Sequence, residues 1–525
     1  MKLKIKNKWQ VWILLPALVL LWTLPALSFN LNTLNPANKS DFFNKDLESF
    51  EEVLDLVTEK YVYSPDPKQL FSAAIEKMVN AGDSTNATLT THSSRSTVTF
   101  NNKTTEYFLN YDISHDLDEL RKVYYFLRDE SKNSISKEEL EVAAIRGLLG
   151  SLDTYSLYLD KSAFEKSMRD TEGKYGGLGM VITMRDNRLY VTKIMEDSPA
   201  KEAGILADDS FIKVNGKEIK NLQIEELANL LRGYPKTKVT LTMYRPSEKK
   251  EYTRTLTRRI ILVNTVEYEP LDNEIGYFKI TSFSKLTEKQ LTKNLGKAKQ
   301  KGMKGVILDL RGNPGGLLHQ SVKVASHFLF KGRMVVYTKG RTKEDYQEYR
   351  SLYKKSLYKM PVVVLINQYS ASAAEIVAGA LRDSGNALLI GENSYGKGSV
   401  QTIFRISDGT GIRLTTSKYY TPAGEDITKN GITPEIKIIN DITESSEISD
   451  KEKDKTYKNN SLELKISNLK AFFEKQGIEL NKSHDATVEF AQRILKNSHI
   501  ASKKKSLEKA REIAANINQK KITGL

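Results

Sequence analysis

The chain has 525 residues, more than one hydrophobic core organises, so roughly two to four folded units are expected. With 39% hydrophobic and 28% charged residues, its composition suits a soluble globular protein and excludes a multi-span membrane protein. The charge of +15 comes from scattered Lys without an Arg-rich stripe or interleaved aromatics, which points to a solvated surface rather than a nucleic-acid groove. The lack of Cys excludes disulfides and thiol catalysis, and six His without a tight His/carboxylate cluster argue against a metal enzyme.

Lys2, Lys4, Lys6 and Lys8 precede an apolar run over about 9–27, and Ala26-Leu27-Ser28 offers a cleavage site. Residues 1–28 therefore read as a signal peptide or a membrane anchor, and export is expected. Residues 40–165 read as a helical N-terminal region. Phe50, Val53, Leu54, Val57 and Tyr61 keep helical spacing, as do Leu120, Val123, Tyr124 and Leu127. An internal echo suggests a duplication: Val53 recurs as Val123, Leu70 as Leu140, and Ala73-Ala74-Ile75 as Ala143-Ala144-Ile145, although Lys68 faces Glu138. Between the copies, the Ser/Thr/Asn-rich stretch 83–102 reads as a mobile polar linker.

Over 170–260 the pattern changes to short β-type runs, among them Arg188–Ile194, Ser210–Val214 and 238–244, with one helix over Ile224–Leu231. Over 261–440 strands alternate with helices, and 305–310 and 361–367 read as buried strands of an α/β core. Residues 441–461 read as a linker and 462–525 as a basic helical tail. Packing on the body, self-association and plain solvation are all open to that tail.

Gly176-Gly177-Leu178-Gly179-Met180 precedes a β run. Successive backbone N–H groups in such a turn converge on an anion such as a chain-terminal carboxylate, though any Gly-rich turn fits the pattern alone. Downstream stand Asp197-Ser198-Pro199-Ala200 with Ala203-Gly204, and then Val214-Asn215-Gly216. Together these resemble a PDZ domain. The resemblance implies β-augmentation, with a substrate tail added as a strand and its carboxylate held by Gly177, Leu178, Gly179 and Met180. Ala207-Asp208-Asp209 departs from it, since such domains carry Gly before the Asp.

Three segments carry chemistry. In Ser370-Ala371-Ser372-Ala373-Ala374-Glu375, a buried strand turns into a helix, and a Ser there meets the positive helix end; either Ser also suits a plain helix cap. Lys397 lies between Gly396 and Gly398, without a phosphate-binding GxxxxGK[ST] pattern. As a base it needs desolvation, and Gln401 is a neutral group able to fix its amine; an exposed loop Lys is the plainer alternative. In Asp309-Leu310-Arg311-Gly312-Asn313-Pro314-Gly315-Gly316, the glycine pair permits close backbone approach and offers an N–H to an oxyanion, or simply makes a tight β-to-α turn.

The three together, in this order and with this Ser-to-Lys spacing, resemble the carboxyl-terminal processing (tail-specific) serine peptidases with a PDZ domain. Tyr155-Ser156-Leu157-Tyr158-Leu159 and Tyr419-Tyr420-Thr421-Pro422-Ala423-Gly424 add to the match. The resemblance covers roughly residues 40–440. It implies a multidomain α/β protein with a crotonase-like (ClpP/crotonase-type) peptidase core and an inserted β-rich PDZ domain. It implies Ser372 as nucleophile, Lys397 as base, Gln401 as its positioner, and an oxyanion hole from Ala373 with Gly315 or Gly316. No cofactor or metal is implied. Partners are protein substrates held by their C-terminal tail in the bacterial periplasm or cell envelope, with membrane anchoring, homo-oligomers and an adaptor protein left open. After the Tyr-Tyr-Thr-Pro motif this chain has Gly424-Glu425-Asp426 where the family often carries Gly-Arg, and the two acids are expected to make the substrate side more acidic. His319 and His327 fit packing better than a Ser–His pair. The rival reading is a non-catalytic PDZ scaffold on a peptidase-like fold.

Overall fold

The computed structural model describes residues 46–439 and 462–519, apart from 82–86, 93–94, 132–133, 272–273, 481–484 and 497–502. The N-terminal segment 1–28 and the linker 441–461 lie outside the described residues. Among the described residues no helix is long and apolar enough to cross a membrane. Residues from Ser49 onward belong to one compact unit.

In chain order the first elements are α1 (Glu48–Lys60), α2 (Pro67–Val79), β1 (Ala87–His92), β2 (Arg95–Phe100), β3 (Lys103–Tyr107), α3 (Ile113–Ser131) and α4 (Lys137–Gly150). The stretch expected as a polar linker is instead largely strand. β1, β2 and β3 pair antiparallel, and Val98, Phe100 and Tyr107 turn one face inward. Alternating Thr and apolar residues fit a half-buried strand, a pattern the high Ser/Thr/Asn content hides. The echoed residues Val53, Val123, Leu70, Leu140, Ala74, Ala144, Ile75 and Ile145 are all buried. Packing of two helical pairs demands that burial by itself.

Next come β4 (Leu157–Leu159), α5 (Lys161–Glu172) and β5 (Lys174–Gly177). Then follow β6 (Met180–Arg185), β7 (Arg188–Ile194), α6 (Pro199–Glu202), β8 (Ser210–Val214), β9 (Lys217–Glu218), α7 (Ile224–Leu231), β10 (Lys238–Arg245), β11 (Lys250–Thr257) and β12 (Arg259–Leu262). β6–β11 form one sheet in the order β11-β10-β8-β7-β6, with β9 on β8, which leaves β6 at an edge. β5 and β12 pair antiparallel at the entry and exit of this module.

The remainder is β13 (Val266–Leu271), β14 (Ile275–Ile280), α8 (Thr287–Gln300), β15 (Gly305–Asp309), α9 (Leu318–Ser326), β16 (Met334–Lys339), β17 (Gln347–Arg350), β18 (Val362–Ile366), α10 (Ala373–Asp383), β19 (Ala387–Gly391), β20 (Ser399–Arg405), β21 (Gly411–Tyr420), α11 (Ile427–Asn430) and β22 (Ile436–Ile439). After the undescribed 440–461 come β23 (Leu462–Lys465), α12 (Ile466–Glu474), α13 (Ala486–Lys496) and α14 (Lys503–Gln519). A seven-stranded sheet runs β13-β14-β15-β18-β19-β22-β23, parallel from β14 onward. β16, β17, β20 and β21 form a second sheet, with β4 paired to β21.

Side chains alternate across the large sheet. Val306, Leu308, Val364 and Leu389 face α8, α9 and α10. Ile307, Val363, Leu365, Leu388 and Ile390 face Leu469, Phe473, Phe490, Ile494 and Ile513 of α12, α13 and α14. The segment read as a basic helical tail therefore starts with a core strand and covers one whole face of the sheet. A parallel sheet needs cover on both faces, and only these helices supply the second.

Candidate active site

The three chemistry-bearing segments follow β15, β18 and β19, adjacent parallel strands, so their loops converge at one end of the sheet. Crevices at the carboxyl ends of parallel strands are where such sheets bind ligands. A cleft of about 470 Å³ there is lined in part by Ser372, Lys397, Gln401, Arg413, Gly315 and Gly316. A side pocket of about 130 Å³ opens beside Ser372 and Ala373, with Leu318, Ile376, Val400 and Tyr419 among its walls.

The two serines of the turn differ. Ser370 is fully buried; its hydroxyl donates to the Leu310 carbonyl at 2.8 Å and accepts from the Asn367 N–H at 3.0 Å. It is a structural pin between β18 and the β15 loop. Ser372 precedes α10 with φ 54° and ψ −114°, a strained conformation for a residue with a side chain, and its hydroxyl makes no cap hydrogen bond. The cap interaction comes from the other side: the Ser372 N–H donates to Glu375 Oε2 at 2.7 Å.

Glu375 is a residue the sequence reading passed over. It is fully buried. Its Oε1 accepts from Ser394 Oγ at 2.5 Å and the Gly396 N–H at 2.7 Å, and its Oε2 also accepts from the Lys397 N–H at 2.9 Å. One carboxyl group thus ties the Ser372 turn to the Lys397 loop. Burial raises its pKa, and these four hydrogen bonds oppose the rise. Its one sequence signal is an acid three residues into a small-residue helix, which reads equally well as a capping acid.

Lys397 is half-buried, and its amine makes no hydrogen bond or ion pair with any described residue. It stands 4.8 Å from the centroid of the Tyr155 ring. Burial lowers its pKa, Arg413 adds to the lowering, and Asp153 and Glu375 partly oppose it. Gln401 shares the cleft wall, but its amide donates to Ser399 Oγ at 2.7 Å rather than holding the Lys397 amine. Tyr155 and Arg413 belong to distant parts of the chain, so no local spacing pointed to Arg413.

The glycine pair divides its roles. The Gly315 N–H donates to Asn313 Oδ1 at 2.8 Å, while the N–H groups of Gly316 and Ala373 donate to no described group. A Cβ on Gly315 would stand 2.7 Å from Ser372 Cβ, and one on Gly316 would stand 2.3 Å from the Phe283 carbonyl oxygen. Both positions exclude any side chain. Arg311, next along the loop, is held by Asp309 (Nη2 to Oδ2, 2.7 Å) and by Asp485 just before α13 (Nη1 to Oδ2, 2.8 Å).

His327 bonds Glu288 and Thr292, and His319 packs on Tyr349; neither lines the cleft. Glu425 pairs with Arg382, and Asp426 lies 3.6 Å from Lys418, so the acids expected to charge the substrate side are matched by bases. In the β-rich module, Gly177 closes the β5–β12 ribbon opposite Arg259, and Met180 opens β6. The Leu178 and Gly179 carbonyls accept from Ala200 and Met195, and their N–H groups donate to no described group. The Asp208 departure falls at φ 67°, the left-handed conformation that favours Gly; Asp208 keeps it while pairing with Arg185.

Known proteins match on both parts. Residues 274–438 match the model of peptidase family S41, and residues 176–256 match that of the PDZ domain. Carboxy-terminal processing protease CtpA of Bacillus subtilis is 37% identical over 342 residues, 65% of this chain and 72% of that protein. The carboxy-terminal-processing protease of Bartonella bacilliformis is 42% identical over 300 residues, 56% of this chain and 68% of that protein. Among solved structures, the photosystem II D1 C-terminal processing protease covers 75% of this chain and 93% of its own, at 25% identity and a TM-score of 0.41. The matched parts define a serine peptidase that carries a PDZ domain. The chain belongs to the carboxy-terminal processing proteases of peptidase family S41.

Proposed function

We propose that this peptidase works through a Ser372–Lys397 dyad on protein substrates chosen by their C-terminal tail. The observation that carries the dyad is the unpaired, half-buried Lys397 amine sharing one cleft with the strained Ser372. Neutral Lys397 takes the Ser372 proton as Oγ bonds the substrate carbonyl carbon, and the N–H groups of Gly316 and Ala373 meet the oxyanion. Lys397 returns the proton to the leaving amine, and water then hydrolyses the acyl-enzyme. Gln401, on the same wall, steadies the amine once substrate fills the cleft. The side pocket, at about 130 Å³ and walled in part by Leu318, Ile376 and Val400, suits a small residue before the scissile bond.

The edge strand β6 and the open Leu178 and Gly179 N–H groups support tail binding by strand addition, the tail carboxylate meeting those amides. The basic and apolar pattern of residues 1–28 supports export to the cell envelope, free or anchored. The core is read as crotonase-like. Ser372→Ala and Lys397→Ala are each expected to abolish cleavage of an unstructured protein, followed by gel and mass spectrometry. Full cleavage by Lys397→Ala overturns the dyad.

A further inference from the structure

Tyr419 on β21 is only 1% exposed, and its backbone N–H donates to the Gly398 carbonyl at 2.9 Å, beside the Lys397 loop. Its hydroxyl is buried and makes no hydrogen bond within the described residues. Buried polar groups without partners are rare and costly, so one beside a nucleophile asks for a function. Tyr419 lines the same small pocket as Ser372 and Ala373. The Glu375 carboxyl and the Ser372 side chain both act on its hydroxyl. Glu375 is already filled, since each of its oxygens accepts two hydrogen bonds. Ser372 Oγ, which caps nothing, is the acceptor that remains.

We propose that Tyr419 is a positioning residue for the nucleophile, its hydroxyl donating to Ser372 Oγ as the serine proton passes to Lys397. With one Oγ lone pair held by Tyr419, the serine proton is directed toward Lys397. During attack, Oγ bonds the carbonyl carbon, the serine proton moves to Lys397 Nζ, and Tyr419 keeps its own proton. Burial, then the charge of Glu375, push the phenol pKa well above its ordinary value, so it stays a donor wherever Lys397 works as a base. The inference rests on Ser372 being the nucleophile.

The test is Tyr419→Phe in the full chain, which keeps the ring and removes only the hydroxyl. The expected result is a kcat lower by roughly 10–100-fold with KM unchanged. Acylation of Ser372 by p-nitrophenyl acetate, too small to use the tail-binding groove, should fall by a similar factor. The thermal midpoint should hold or rise, because no hydrogen bond among the described residues is lost. An unchanged kcat overturns the inference. So does a fall in kcat with acylation untouched, or one accompanied by a lower thermal midpoint, which makes the hydroxyl structural. Ser372→Ala is run alongside. If it is inactive while Tyr419→Phe is fully active, the Tyr419 inference alone fails; if it still cleaves, the dyad fails with it.

Discussion

At Lys397, burial and the Arg413 guanidinium hold the amine below its ordinary pKa. The consequence for activity is a rise in kcat/KM with pH, with a midpoint below that of a free Lys, at about 10.4. The consequence for stability has the same sign. Between the lowered folded pKa and the unfolded value, the unfolded chain binds more protons, so stability increases with pH across that window. Lys397→Met is expected to abolish cleavage and flatten this dependence, checked by urea unfolding at pH values from 7 to about 10. Ser372 and Glu375 show how the turn and the lysine loop are held together. The strained Ser372 backbone costs about 1–3 kcal/mol, and Glu375 holds it against the Lys397 loop through both N–H groups. The Ser372 turn and the Lys397 loop were legible in the sequence because a strand-turn-helix and a Gly-Lys-Gly loop are local patterns. Glu375 was not, since its partners at 394, 396 and 397 arrive only when two loops meet.

The glycine loop after β15 depends on elements far away in sequence. Asn313 spends its side chain on the Gly315 N–H and on the Ile280 carbonyl, which fixes the turn and leaves the Gly316 N–H outward. Arg311 is clamped between Asp309, itself buried and bonded by the Tyr277 hydroxyl at 2.8 Å, and Asp485. Asp485 also accepts the Thr487 and Val488 N–H groups at the start of α13. Its loss therefore removes a helix cap and one partner of a largely buried guanidinium. Asp485→Ala is expected to cost about 2–4 kcal/mol in urea unfolding, and Asp485→Asn less, since the amide keeps a capping oxygen. Equal losses in the two variants would assign the effect to charge alone.

For the whole molecule, the C-terminal segment is the second cover of the central sheet. Truncation after Ile439 would bare Ile307, Val363, Leu365, Leu388 and Ile390, and remove Phe473, Phe490, Ile494 and Ile513 from them. At about 1.5–3 kcal/mol for each buried aliphatic or aromatic side chain, this exceeds the 5–15 kcal/mol that typically separates folded from unfolded. The truncated chain is expected to aggregate rather than give a smaller soluble peptidase, as size-exclusion chromatography and circular dichroism would show. A soluble, cooperatively unfolding truncation would contradict that account.

The sequence by itself determined the chemistry-bearing segments, the PDZ-like module and the α/β alternation of the core, because each is written in residues close together in the chain. Tertiary structure decided which N–H groups are spare, and it alone placed Arg413 at Lys397, Asp485 at Arg311 and Tyr419 beneath Ser372. It also turned a polar linker into two strands of a three-stranded sheet and a basic tail into half the cover of another. Those outcomes depend on which surfaces need burial and which donors find acceptors, and both follow from contacts between residues tens to hundreds of positions apart.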